Sequence, residues 1–159
     1  MKQQLAQQQY VTTQVGTADR LQLVIMLYDG AISFLGQARE RMAAQDAPGK
    51  GLFIGRALDI IAELNASLNF QAGQELSTNL FHLYNFMTGH LTKANLNWDV
   101  QAIQEVMGIL QQLREAWVEV AHRARRGELE DKAGPWTRPP GAISGRSGCK
   151  KTAGPQVRL

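Results

Sequence analysis

The chain has 159 residues, is 44% hydrophobic and carries one cysteine, Cys149, so it has room for a single ordinary domain with a core and no internal disulfide. Its net charge of +3 comes entirely from the end of the sequence: residues 1–127 hold 11 basic and 11 acidic side chains, and residues 128–159 hold 6 and 3. That balance excludes the basic stripe that tracks nucleic-acid phosphates, and Met1 to Gln9 is Gln-rich and polar where a secretory signal is apolar, so the sequence points to the cytoplasm, with no nucleic acid and no membrane insertion.

Residues 1–16 are polar apart from a few side chains such as the pair Tyr10-Val11, which fits a mobile N-terminal arm whose Tyr10 docks elsewhere. The first helix is expected from about Thr17 to Ala44, with Thr17 as N-cap and Asp19 in the first turn. Leu21, Ile25, Tyr28, Ile32, Leu35 and Met42 keep helical spacing, and Arg39, Glu40 and Arg41 form a polar patch. Within this helix Leu23-Val24-Ile25-Met26-Leu27-Tyr28 is apolar over more than a full turn, so no face there is polar and the helix needs cover on every side. The run is far shorter than the roughly 20 apolar residues of a membrane span. Gly30 and Gly36 each cost about 1 kcal/mol relative to alanine, which is offset by close packing inside the bundle or by another segment lying across that face.

Asp46-Ala47-Pro48-Gly49 interrupts the pattern, and a second helix is expected from about Lys50 to Phe70. It has Phe53, Ala57, Ile60, Ile61, Leu64 and Leu68 inward, and Lys50, Arg56, Asp59 and Glu63 exposed. A third, about Glu75 to Asn95, carries Leu76, Leu80, Leu83, Met87, Leu91 and Ala94 as its apolar stripe. Asn97-Trp98-Asp99 supplies caps for a fourth, in which Ile103, Val106, Leu110, Leu113, Trp117 and Val120 alternate at spacings of 3 and 4. Arg123, Arg125 and Arg126 at its end complement the helix dipole. Four helices joined by short loops run antiparallel, so the fold class is an all-α, antiparallel four-helix bundle over residues 17–126. Residues 127–159 hold four of the five prolines and no helical period, which reads as a disordered basic tail. Gly134-Pro135-Trp136 and Arg138-Pro139-Pro140 in it are a weak polyproline-type motif.

Catalytic apparatus is missing from the sequence: there is no phosphate loop, no paired Cys or His at metal spacing and no nucleophile elbow, so neither an enzyme nor a cofactor is expected. Glu119-Val-Ala-His122 is half of a di-iron bundle site, but Glu63, Glu75 and Glu105 offer no second pair. His82 and His90 read as ordinary surface or hydrogen-bonded histidines, and Cys149 as a solvated bystander.

Five blocks of the sequence resemble the FliS family of flagellin export chaperones. They are Thr17-Ala18-Asp19-Arg20-Leu21 with Tyr10 ahead of it, Met26-Leu27-Tyr28-Asp29-Gly30-Ala31-Ile32-Ser33-Phe34-Leu35, Ala57 to Asn65, Asn79 to Met87, and Leu113-Arg114-Glu115-Ala116-Trp117. The resemblance runs from about Tyr10 to His122. It departs at Asp19-Arg20, where relatives often carry a proline, and at Leu68 to Gly73, where the usual acidic Gly-Gly turn is altered. The resemblance implies a cytosolic bundle that binds the C-terminal segment of flagellin, blocks its premature polymerisation and presents it to a flagellar export gate component. It further implies that the N-terminal arm occupies part of the empty site; an anti-sigma factor or a co-chaperone is an additional candidate partner.

On this reading the flagellin-binding residues are Tyr10 from the arm, Ile25, Tyr28 and Ile32 from the first helix, and Leu64, Asn65, Asn79, Leu80, Leu83, Tyr84 and Met87 from the second and third, a set containing both core and groove positions. Asn65 and Asn79 flank the apolar stripes and are placed to bond a client backbone. An amphipathic partner laid into a groove is the recognition mode expected. The rival of a different class is a structural bundle that homodimerises through the first helix without a client; a metal-dependent bundle enzyme is a third reading.

Overall fold

A computed structural model describes residues 16–127, which form four α-helices. These are α1 (Thr17–Ala43), α2 (Ala47–Ala66), α3 (Gln74–Asn97) and α4 (Val100–Arg125). Tyr10, the arm and the tail with Cys149 and its two proline motifs lie outside the described residues.

Contacts across the seams fix the topology. Phe34 meets Phe53 and Arg41 meets Asp46 between α1 and α2, whereas Gln22 meets Arg125 and Asp29 meets Arg114 between α1 and α4. Asn65 meets Asn85 between α2 and α3, and His90 meets Glu105 between α3 and α4. Every pair runs antiparallel, in a square whose corners follow chain order, with α1 diagonally opposite α3.

A glycine draws α1 and α2 together. A β-carbon on Gly30 would stand 3.1 Å from Ile60 Cδ1, tighter than ordinary contact, so this glycine lets α1 settle against α2. A β-carbon on Gly36 would stand an ordinary 3.9 Å from Met107 Cε, and no close approach accounts for that glycine. The backbone of α3 stands farther from its two neighbours. Its inward residues are Ser77, Leu80, Tyr84, Met87, Leu91 and Ala94.

Loop chemistry moves several helix ends from where periodicity puts them. Gly16, not Thr17, is the N-cap of α1, because the Gly16 carbonyl already accepts from Arg20 N at 3.0 Å. α2 starts three residues earlier than Lys50, since the Asp46 carboxylate accepts from Gly49 N at 3.0 Å and Pro48 sits in the first turn. No backbone donor is needed there and proline's φ is already helical, so Pro48 begins the helix instead of breaking it. α2 ends at Ala66, short of Phe70, where Asn69 Oδ1 accepts from Gln71 N and Ala72 N in an Asx turn. At the α3–α4 corner Trp98 takes a left-handed φ of 55° and Asp99 caps Ala102 N at 3.2 Å.

Two expected exposures are reversed. Lys50 is buried, with Nζ donating to the Asn95 carbonyl at 2.5 Å and lying 4.1 Å from the Trp98 ring centroid. Its stem crosses the α2–α3 seam while its charge is met by a carbonyl and a π-face. Leu76 is 44% exposed; the inward position is taken by Ser77, whose hydroxyl donates to the Asn69 carbonyl at 3.0 Å.

By length and composition alone Asp19–Ala43 of α1 is long and apolar enough to cross a membrane, a test that a core helix passes as well. In the bundle its Leu21, Val24, Ile25, Tyr28, Ala31, Leu35, Ala38 and Met42 are core residues.

Candidate functional site

Three of the sequence blocks meet at one buried point. Trp117 Nε1 on α4 donates to the Tyr28 hydroxyl on α1 at 3.1 Å, and that hydroxyl lies 2.5 Å from the Tyr84 hydroxyl on α3. Burial pushes both phenols above their ordinary range, and at Tyr28 the bonds to Tyr84 and Trp117 pull partly back. A second block pair is joined at the surface, where Arg114 donates to the Asp29 carboxylate and its own pKa is raised by that bond. A third pair is joined by Asn65 Nδ2 donating to Asn85 Oδ1 at 3.1 Å, while Asn65 Oδ1 is buried without a hydrogen-bond partner among the described residues. The residues that carry the resemblance thus bind helix to helix.

This placement sorts the candidate residues. Ile25, Tyr28, Leu64, Leu80, Tyr84 and Met87 are core, enclosed by the four helices. A groove cannot join the α1 set to the α3 set, because those helices occupy opposite corners and meet only through the interior. Ile32, Asn65 and Leu83 are half-buried at seams, and Asn79 is exposed on α3. His82 is exposed; His90 Nε2 lies 2.6 Å from Glu105 Oε1 with Phe86 stacked on its ring at 4.9 Å. Glu119 accepts from Arg123 Nε at 3.2 Å.

What the bundle leaves uncovered lies one residue away from the core stripes. In the apolar run of α1, Val24, Ile25 and Tyr28 are buried and Leu27 is half-buried, while Leu23 is 55% and Met26 58% exposed. The helix is therefore not covered on every side. Leu23, Leu27, Gly30 and Phe34, spaced 4, 3 and 4, run along the side turned to α2, where Phe34 stacks on Phe53 at 6.1 Å. Met26 stands between that side and Asp29, which is turned to α4, and so faces outward.

A second uncovered strip follows the loosely spaced α3–α4 seam. Leu76, Asn79, Leu83, Phe86 and His90 recur at 3, 4, 3 and 4, and the His90–Glu105 contact places this side of α3 against α4. On α4, Ile109, Leu113 and Val120 are half-buried and Ala116 is exposed at matching spacing. Between Leu76 and Phe86 the strip is about 15 Å long at 1.5 Å per residue, the length of three helical turns. Periodicity alone missed Leu23, Met26 and Phe86 as exposed residues. The available signal is the doubling of stripes, since on α3 Leu76-Leu83-Phe86 runs beside Leu80-Tyr84-Met87.

The strip carries one titratable pair, His90 with Glu105, and among the described residues no three His, Cys, Asp or Glu side chains come together to hold a metal. Its chemistry is apolar contact on rigid helices, with polar groups at the rim.

Comparison with known proteins agrees in direction. Residues 1–124 match the family described as flagellar protein FliS. The chain is 41% identical over 115 residues to the flagellar secretion chaperone FliS of Salmonella typhimurium, covering 72% of this chain and 85% of that protein. It is 35% identical over 116 residues to FliSB of Pseudomonas aeruginosa, covering 73% and 92%, and 32% identical over 117 residues to FliS of Bacillus subtilis, covering 74% and 86%.

Proposed function

This chain belongs to the FliS family of flagellar secretion chaperones, and on that premise we propose that it holds the C-terminal segment of flagellin in the cytoplasm until export. The client lies on the two uncovered strips: the outward side of α1 at Leu23 and Met26, and the α3–α4 seam from Leu76 to Phe86. Covering them keeps an aggregation-prone segment from premature polymerisation, and release follows at a component of the flagellar export gate. The observation that carries the reading is the exposure of Leu23 and Met26, large apolar side chains in the same run of α1 as the core residues Val24, Ile25 and Tyr28. Contiguous apolar surface of this kind marks an interaction site.

The energetics suit a reversible hold. Burying about 1,000 Å² of apolar surface is worth roughly 25 kcal/mol gross. Ordering a flexible client and losing rigid-body freedom offset most of it, leaving an affinity that export can undo. Asn79 is exposed within the α3 strip, and on this reading its side-chain amide bonds the client's backbone.

Calorimetric titration of the full chain with a peptide of the flagellin C-terminal segment tests the reading, with binding at micromolar concentration or tighter expected. Leu23→Glu and Phe86→Glu are each expected to weaken it by about tenfold or more while helical circular dichroism stays unchanged. Absence of heat and of any spectral shift at micromolar concentration refutes the client, and full affinity in both variants refutes the surface. A stable homodimer that the peptide leaves intact favours the clientless bundle instead.

A further inference from the structure

Met26 differs from the other methionines of the bundle. Its side chain is 58% exposed, whereas Met42 is 5% and Met87 0% exposed and Met107 is half-buried against the Gly36 position of α1. It also stands beside Leu23 on the strip assigned to the client, so the one freely accessible thioether among the described residues lies where apolar contact does the binding. We propose that Met26 is an oxidation-sensitive residue of the client surface, and that converting its thioether to a sulfoxide weakens the chaperone's hold on its client. The inference rests on the client reading above.

The chemistry needs only a two-electron oxidant of the peroxide class. A lone pair on Met26 Sδ attacks one peroxide oxygen, the O–O bond breaks, and that oxygen stays on sulfur while the other leaves as water; sulfur is oxidised by two electrons and the peroxide reduced by two. The product is a polar, chiral side chain in place of a flexible apolar one, and it is the form that sulfoxide reductases return to methionine. Met42 and Met87 are shielded by the core, so a dose that oxidises Met26 leaves the bundle standing. Binding and modification are linked reciprocally: a client that covers Met26 slows its oxidation, and the sulfoxide lowers the client's affinity.

The full chain is treated with dilute hydrogen peroxide, freed of it, and only then titrated with flagellin C-terminal peptide, with peptide mapping by mass spectrometry to locate added oxygen. Expected are one added oxygen on the Met26 peptide, a fall in affinity of about tenfold, and slower oxidation of Met26 when peptide is present during treatment. Met26→Leu, read against its own untreated sample, is expected to keep its affinity through the same treatment. Equal weakening of the wild type and Met26→Leu overturns the proposal, as does a Met26 sulfoxide that binds with undiminished affinity. If the untreated chain takes up no peptide, the client reading itself falls and this inference with it, so the two failures are separable.

Discussion

Replacing Tyr28 by phenylalanine separates a core tyrosine from a client-binding one. The substitution keeps the ring and removes one oxygen, which accepts from Trp117 Nε1 at 3.1 Å and is hydrogen-bonded to the Tyr84 hydroxyl at 2.5 Å. Each lost bond costs about 0.5–1.5 kcal/mol net, and the Tyr84 hydroxyl, buried on α3 and left without this partner, adds a desolvation penalty of about 1–3 kcal/mol. The expected total is roughly 2–6 kcal/mol. At about 4–8 °C per kcal/mol for a domain near 100 residues, Tm falls by roughly 10 °C or more. Urea and thermal unfolding followed by circular dichroism measure it. The double variant Tyr28→Phe with Tyr84→Phe removes both hydroxyls of the pair, so it costs less than the two single changes added together, with a coupling of about 0.5–3 kcal/mol. At temperatures where the variant is folded its affinity for flagellin peptide is unchanged, because Tyr28 is enclosed. A stability loss under about 0.5 kcal/mol, within the range of an ordinary surface change, would refute the network. Weakened peptide binding at full stability would instead return Tyr28 to the groove.

The same two phenols make the bundle sensitive to alkali. Their folded pKa values are raised by burial above the ordinary value near 10, so stability is full below that pH and falls above it as the unfolded chain ionises and the folded one does not. Tyr84 contributes up to about 1.4 kcal/mol per pH unit well above that value, and urea midpoints at pH 9, 10 and 11 should fall more gently in Tyr84→Phe than in the wild type. Gly49→Ala places a β-carbon 2.9 Å from Arg41 Cδ and against the Asp46 carboxylate that caps Gly49 N, so it should cost about 1 kcal/mol, the worth of the cap, by chemical denaturation. Gly36→Ala meets Met107 Cε at an ordinary 3.9 Å and should stabilise by up to about 1 kcal/mol. Gly30→Ala, whose β-carbon would meet Ile60 Cδ1 at 3.1 Å, should gain less, and equal gains would show that α1 is not seated as tightly on α2 as described.

The bundle was legible because its information is periodic. Leu21, Ile25, Tyr28 and Leu35 on α1, and Ile103, Val106, Leu110 and Trp117 on α4, recur at helical spacing and are buried together. Helix ends were less legible because a cap outweighs a period over one turn. Asp46 with Pro48 extends α2 backward by three residues, and the Asn69 Asx turn stops it before Phe70. Lys50 was read as exposed because charge dominates a hydropathy pattern, but its aliphatic stem is long enough to carry the charge through the seam to the Asn95 carbonyl and the Trp98 ring.

The site was the least legible part, for a reason that lies in the resemblance. Tyr28 and Tyr84 stand out because they are large, aromatic and shared in pattern, and the sequence reading places them in a client-binding set that mixes core and groove positions. In the bundle they are core and form with Trp117 a polar junction joining α1, α3 and α4. Leu23 and Met26 look like surplus hydrophobicity in a helix that already has a stripe, and nothing in the spacing distinguishes a second core face from an open one. Only the neighbours decide it. Gly30 lets α1 settle onto Ile60 of α2, and Leu23 and Met26 stay exposed on α1. The backbone of α3 stands farther from α4, so Leu76 and Phe86 stay exposed and Leu83 half-buried along a strip that α4 does not close. How closely each pair of helices approaches therefore sets which apolar side chains remain outside, and the open surfaces follow from how this core packs.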